Sequence, residues 1–155
     1  MSNVNAYLAI ANDALATSRR ATESHRRPKP DGSPGWIITP DPTRSSFRNS
    51  LIAVVFAGVY LDALLYIVGT QRLGRDEYRK IERREYETKL RKLQITDSST
   101  LEACKRFREA RNDIVHEKAG EVEPSTVSKL RFAQDEAEHA VAFVVRVGGL
   151  LRPAK

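Results

Sequence analysis

The chain has 155 residues, a single cysteine and a formal net charge of +6 at pH 7. That length suits one domain, residues 1–155, able to bury a core without disulfides or a structural metal. Cys104 alone excludes an internal disulfide framework and fits a reducing compartment.

The first helix is expected from about Val4 to about Arg26, with Ala6, Leu8, Ile10, Ala14 and Leu15 as its apolar stripe. Its start lacks the basic region and apolar run of a secretory signal, so the expected location is cytoplasmic. Residues 27–44 hold the run PKPDGSPGWIITPDPT, whose five prolines and two glycines forbid a helix. This is read as a loop inside the domain, tacked onto the helices by Trp36, Ile37 and Ile38. His25, where the first helix frays, is read as solvated.

A second helix begins near Ser45 or Ser46. From Leu51 to Gly69 it is nearly all apolar, about the length of a membrane span. Asp62 sits in its middle, and a lone carboxylate in lipid costs roughly 3 kcal/mol. The expectation is therefore a fully buried central helix and no membrane association. The third helix, about Asp76 to Leu93, lies in the most basic stretch: residues 71–95 carry +4. Excess positive charge favours polyanions, RNA or DNA first and an anionic membrane second. The competing reading is a solvated face whose acids and bases pair at i,i+4.

TDSST, residues 96–100, is a strong N-cap cluster opening a fourth helix. Gly120 and Pro124 end that helix and restart the chain. A last helix runs from about Ser125 to Val147 and stops at Gly148–Gly149, burying Leu130, Ala137, Val141 and Val144. No strand alternation, repeat or low-complexity tract is present. The class is all-α, a four-helix bundle with one additional helix.

The fourth helix ends in RNDIVH, residues 111–116. With 18 arginines and three histidines in the chain, an Arg-x4-His spacing is expected by chance about 0.35 times. Arg20–His25 matches it too, but lies in the first helix with alanine after the arginine. In RNDIVH a polar Asn112 follows the arginine, and the match closes the penultimate helix just before a Gly/Pro break. A long apolar helix precedes it.

This arrangement resembles the HEPN superfamily (higher eukaryote and prokaryote nucleotide-binding domains), small helical bundles with an R-x4-6-H motif. Arg111, Asn112 and His116 match that motif at its shortest spacing; over the rest of the chain the resemblance is in helix order alone. It implies a metal-independent endoribonuclease without cofactor, a toxin or defence effector, active as a homodimer with two motifs meeting at the interface. For toxin members it also implies an antitoxin protein as partner. In one branch, paired with a nucleotidyltransferase antitoxin, a tyrosine stands two residues after the histidine. Here that position is Lys118, so the resemblance does not extend to that branch.

The chemistry suits the residues. At roughly 100° per residue, Asn112 and His116 share one face, nearly opposite the apolar stripe of Cys104, Phe107 and Ile114. Arg111 lies beside that stripe. A buried arginine needs a carboxylate, and Asp62 is the expected partner in a supporting role. RNA cleavage without metal needs a base for the 2′-OH, an acid for the leaving 5′-oxygen, and a cation for the phosphorane-like charge. Histidine suits the proton transfers and the arginine fork suits phosphate. One motif supplies one histidine, so two chains docked through their outward motif faces are expected, as a C2 dimer. Arg108 and Lys118 flank the motif as candidate RNA contacts.

Blander readings stand beside this one. His116 is placed to cap the helix C-terminus as a cation, with Arg111 as an ion-pair partner. A metal site from Asp113–His116 and Glu136–His139 is disfavoured, because His139 lies opposite the core face of the last helix; Asp135–His139 reads better as a surface pair. The alternative function is a non-catalytic module binding nucleotide, RNA or protein, with the basic third helix as its docking surface. A DNA-binding role ranks lower, since no recognition-helix turn is found.

Overall fold

The computed structural model describes residues 3–39, 41–115 and 126–152, with side chains outside the description at 115 and 126–132. The chain is all-α, with six helices and one small sheet among the described residues: α1 Val4–Ser24, β1 Arg26–Pro28, β2 Trp36–Ile38, α2 Ser45–Leu73, α3 Arg75–Ile81, α4 Tyr86–Lys92, α5 Ser98–Val115 and α6 Thr126–Leu151. The helix break expected at Gly120 and Pro124 lies outside the described residues.

The long helix α2 is the hub, in contact with α1, α3, α5 and α6. Its start is held by Asp41, whose carboxylate accepts the Ser45 N–H at 2.7 Å and the Thr43 N–H at 2.8 Å. Against α1 it packs Ala53, Val54 and Ala57, all fully buried, opposite Ala11, Ala14 and Leu15. Polar groups lie in the same seam: Ser18 reaches Ser50 at 2.8 Å and Ser46 at 3.2 Å, and Thr22 reaches Ser46 at 2.7 Å and Gln134 of α6 at 2.6 Å. Hydroxyls that meet other hydroxyls keep their hydrogen bonds out of water, so this seam closes without an orphaned donor.

The central helix is not fully buried. Of its most apolar window only 39% is buried, although its length and composition would allow it to cross a bilayer. Ile52 and Tyr66 are 41% and 42% exposed. With Val55, Val59 and Asp62 they fall within an arc of about 80° at helical spacing, so α2 carries one apolar stripe that no other described element covers completely.

Five further expectations fail for identifiable reasons. Residues 27–44 are not wholly irregular: Arg26 to Pro28 pair antiparallel with Trp36 to Ile38. The connecting turn is closed by Asp31, which accepts the Ser33 N–H at 3.0 Å. Trp36 does not tack the segment down; it stands 49% exposed. His25 is half-buried, with Nδ1 2.8 Å from the Ala21 carbonyl oxygen, a geometry that satisfies an orphan carbonyl at the end of α1. The basic segment is two helices, because a turn at residues 82–85 lets Tyr78 and Tyr86 both be buried at different docking points. Last, Gly148–Gly149 do not stop the last helix, and the apolar stretch to Gly69 does not mark the end of the second. α2 runs on to Leu73 and α6 to Leu151.

The glycines serve close packing instead. A Cβ on Gly69 would stand 2.2 Å from the Tyr78 ring, and one on Gly148 would stand 2.5 Å from the Tyr60 hydroxyl. The expected N-cap of α5 forms as read: Asp97 accepts the Thr100 N–H at 2.9 Å.

Alanine is favoured over glycine by about 1 kcal/mol inside a helix, whereas overpacking costs about 1–3 kcal/mol. Gly69→Ala is therefore expected to destabilise the protein in urea unfolding by about 1 kcal/mol. A stabilised Gly69→Ala would show that Tyr78 does not need that gap.

Candidate functional site

The site is built on the last turns of α5. Cys104 and Phe107 are fully buried and Ile114 half-buried, which fixes the rotational setting of the helix. Asn112 then faces solvent and Arg111 points across α2. Burial pushes the Cys104 thiol up to about 12, so it is an inert core residue and not a nucleophile.

Arg111 crosses α2 over Gly58, where a Cβ would lie 2.5 Å from Nε and 3.0 Å from Cζ. One helical turn further along α2, Asp62 Oδ2 stands 3.3 Å from Arg111 Nη2. The Arg111–Asp62 contact expected from the sequence is thus formed. Asp62 is not stranded in the core, however; its side chain is 45% exposed, against 30% for Arg111. Arg111 Nη1 donates to the Tyr86 hydroxyl. Its Nε is buried with no hydrogen-bond partner among the described residues.

Two residues of α4 complete the cluster, and sequence reasoning missed both. Tyr86 is buried, its ring 5.9 Å from that of Phe107, which in turn lies 5.3 Å from Phe143. Burial drives the Tyr86 phenol far above its ordinary value. The negative charge of Asp62 adds to this and Arg111 opposes it, so the group stays a neutral hydroxyl. Lys89 is 7% exposed, with Nζ 5.4 Å over the Tyr86 ring. Burial lowers its pKa, Asp62 and Glu82 hold it up, and Arg111 presses it down. Tyr86 and Lys89 lie one turn apart in a segment dominated by charge, which hid their inward face. Gly58 had a usable signal: it stands four residues before Asp62, putting a gap and a carboxylate on one face of the same helix.

The cluster therefore holds two cations, one carboxylate and one phenol. Asp62 pairs with Arg111, and Asp62 and Glu82 both bear on Lys89, in a partly dehydrated place where charge acts more strongly than in water. Such a site is suited to an anion presented from the exposed side, where Asn112 lies.

The other expected site residues fall differently. Arg108 is engaged by Glu87 at 3.2 Å and by Glu85 at 3.7 Å, so a phosphate there would compete with two carboxylates. His116 and Lys118 lie outside the described residues. In α6, Glu136 is buried and gripped by Arg106 through contacts of 2.7 and 3.2 Å, while His139 is exposed. Among the described residues no three His, Cys, Asp or Glu side chains come together as a metal site.

No protein-family model, curated protein or solved structure matches this chain.

Because Arg111 needs the bare backbone at residue 58, Gly58→Ala is expected to displace it while leaving the chain folded. In a 1H–15N spectrum the Arg111 Nε–H, protected in the wild type, should lose its protection; the backbone amides away from α2 and α5 should stay in place. An unchanged Nε–H signal in Gly58→Ala would refute that dependence.

Proposed function

We propose that this chain is a metal-independent endoribonuclease of the HEPN type, serving as a toxin or defence effector and acting as a homodimer. The observation that carries this reading is the anchoring of Arg111. Asp62, Tyr86 and Gly58 together hold its guanidinium on α2, with a third of the side chain still open and Asn112 exposed beside it. A fork so positioned can take two oxygens of a phosphodiester.

In the proposed reaction, His116 of one motif removes the proton from a 2′-OH. The freed oxygen attacks the adjacent phosphorus, and the P–O5′ bond breaks. The leaving 5′-oxygen receives a proton from the second His116 across the dimer. The products are a 2′,3′-cyclic phosphate and a 5′-OH. Arg111 neutralises the charge that develops on the non-bridging oxygens, and Lys89 raises the local potential. Asn112 orients His116 or holds a phosphate oxygen.

A homodimer also has a surface to use. Asp62, and with it Arg111, lies on the same face of α2 as the apolar stripe of Ile52, Val55, Val59 and Tyr66. Docking two copies there would bury apolar area and bring two motifs near each other.

A second reading has one observation in its favour. Arg111 already satisfies Asp62 and Tyr86 inside its own chain, and its Nε is sealed from solvent. A group so occupied also suits a non-catalytic module that binds nucleotide, RNA or protein.

The test is cleavage of a labelled single-stranded RNA by wild type and His116→Ala, with EDTA present throughout. The wild type should cleave and leave cyclic-phosphate ends, and His116→Ala should be slower by about 100-fold or more. Equal rates in the two proteins would overturn the assignment of His116. No cleavage by either, with RNA or nucleotide bound tightly, would establish the binding module in place of the enzyme.

A further inference from the structure

A hollow of about 730 Å³ opens at the end of the fold where α1 meets the β1–β2 hairpin and the first half of α6. Its walls carry three arginines, Arg19, Arg20 and Arg26, against two carboxylates, Glu23 and Asp135, together with Trp36, Ile38 and Gln134. It is separate from the Arg111 cluster. Thr22, on its wall, hydrogen-bonds Ser46, whereas Arg111 lies on Gly58, twelve residues or about 18 Å further along α2.

The composition of the hollow is specific. Trp36, the only tryptophan in the chain, leaves half its surface open, with the Arg26 guanidinium 4.5 Å from its ring centre. An exposed tryptophan held by a cation at the mouth of a hollow is costly in water and apt for a flat aromatic ligand. Arg19 is paired with Glu138 at 2.9 Å and Arg26 with Glu23 at 3.2 Å. Arg20 donates to the neutral hydroxyl of Thr17 and makes no ion pair with a described carboxylate. Around it the sequence is strongly basic: residues 19–29 hold five Lys or Arg against Glu23 alone. A flat stacking surface, an arginine free of any ion pair with a described carboxylate and a basic run of sequence beside it are the parts with which proteins hold single-stranded nucleic acid.

We propose that this hollow is a docking site for single-stranded RNA, with Trp36 stacking one base and Arg20 holding the neighbouring phosphate. The inference rests on RNA being the ligand of this chain, as in the function proposed above, and it adds a contact remote from the Arg111 cluster. Gln134 stands on the wall with its amide accepting from Thr22 at 2.6 Å and donating to Glu138 at 3.5 Å, and Ile38, two residues along β2, adds an apolar side chain to the lining. A strand that touches both places must be several nucleotides long, so the site selects for length and not for the bond that is cut.

The intrinsic fluorescence of Trp36 reports binding directly. In a His116→Ala background, which keeps RNA intact, a single-stranded 12-mer is expected to quench that fluorescence, and a duplex of the same sequence to quench it far less. Arg20→Glu should weaken binding of the 12-mer by about tenfold or more, with Arg20→Lys retaining most of it. By fluorescence anisotropy of a labelled 12-mer, Trp36→Ala should also bind about tenfold more weakly. Absence of quenching, or 12-mer binding unchanged in both Trp36→Ala and Arg20→Glu, would overturn the proposal. The nuclease reading fails separately. If the wild type does not cleave while quenching and its Arg20 dependence persist, the docking site stands and the enzyme does not. If the wild type cleaves a dinucleotide and the 12-mer, Trp36→Ala should raise KM for the 12-mer alone; equal effects on both, or none, would remove the hollow from substrate binding.

Discussion

The guanidinium of Arg111 lies against bare backbone, and much of the structure follows from that contact. Only a residue without a Cβ lets a side chain of that size lie on a helix, and Gly58 supplies the gap. The same device recurs where Tyr78 meets Gly69 and where Tyr60 meets Gly148. These three close approaches join α2 to α5, to α3 and to α6. A helix that would gain stability from alanine at each position keeps glycine, because the contacts between helices outweigh local propensity.

Electrostatics then gives the Arg111 contact its character. A guanidinium drawn partly out of water needs a counter-charge, and Asp62 provides it from one turn away on the same helix. Tyr86 adds a neutral hydroxyl that burial keeps protonated, and Lys89 adds a second cation under the same carboxylate. The arrangement is economical: α2 contributes the gap and the acid, α4 the phenol and the amine, α5 the arginine. Loss of one member leaves the others with charge or hydrogen-bonding capacity unmet, so the cluster behaves as a unit. Under the proposed function, this unit presents a fork to phosphate without leaving it free to collapse onto another acid.

Much of this was legible from the residues alone. The all-α class follows from helical periodicity and the absence of alternation, and the Asp97 cap from its TDSST context. The Arg111–Asp62 pair follows from a lone acid in an apolar helix and an arginine beside an apolar stripe. What escaped had a shared cause. Glycine at Gly148–Gly149 reads as punctuation, although inside a helix it equally marks a close neighbour. The break between α3 and α4 has no glycine or proline to announce it; it exists because Tyr78 and Tyr86 dock in different places. Trp36 reads as a tack holding its loop to the helices, yet it sits on a short hairpin and stands half exposed. Tertiary partners decide all of these, and no single stretch of sequence names its partner.

The hydroxyl seam between α1 and α2 has a direction. Thr22 gives its only hydroxyl proton to the Gln134 carbonyl, so the Ser46 hydroxyl must donate to Thr22. Ser50 gives its proton to the Ser46 backbone carbonyl, so it accepts from Ser18. The four hydroxyl protons are thereby assigned in one order from Gln134, and none remains for the 3.2 Å Ser18–Ser46 approach, which is a contact without a shared proton. Gln134 sits at one end of that order and on the wall of the hollow. A molecule that turned its amide over would present N–H to Thr22, and the hydroxyls behind it would have to reverse or break. The wall of the hollow is wired, proton by proton, into the seam that holds the first two long helices together.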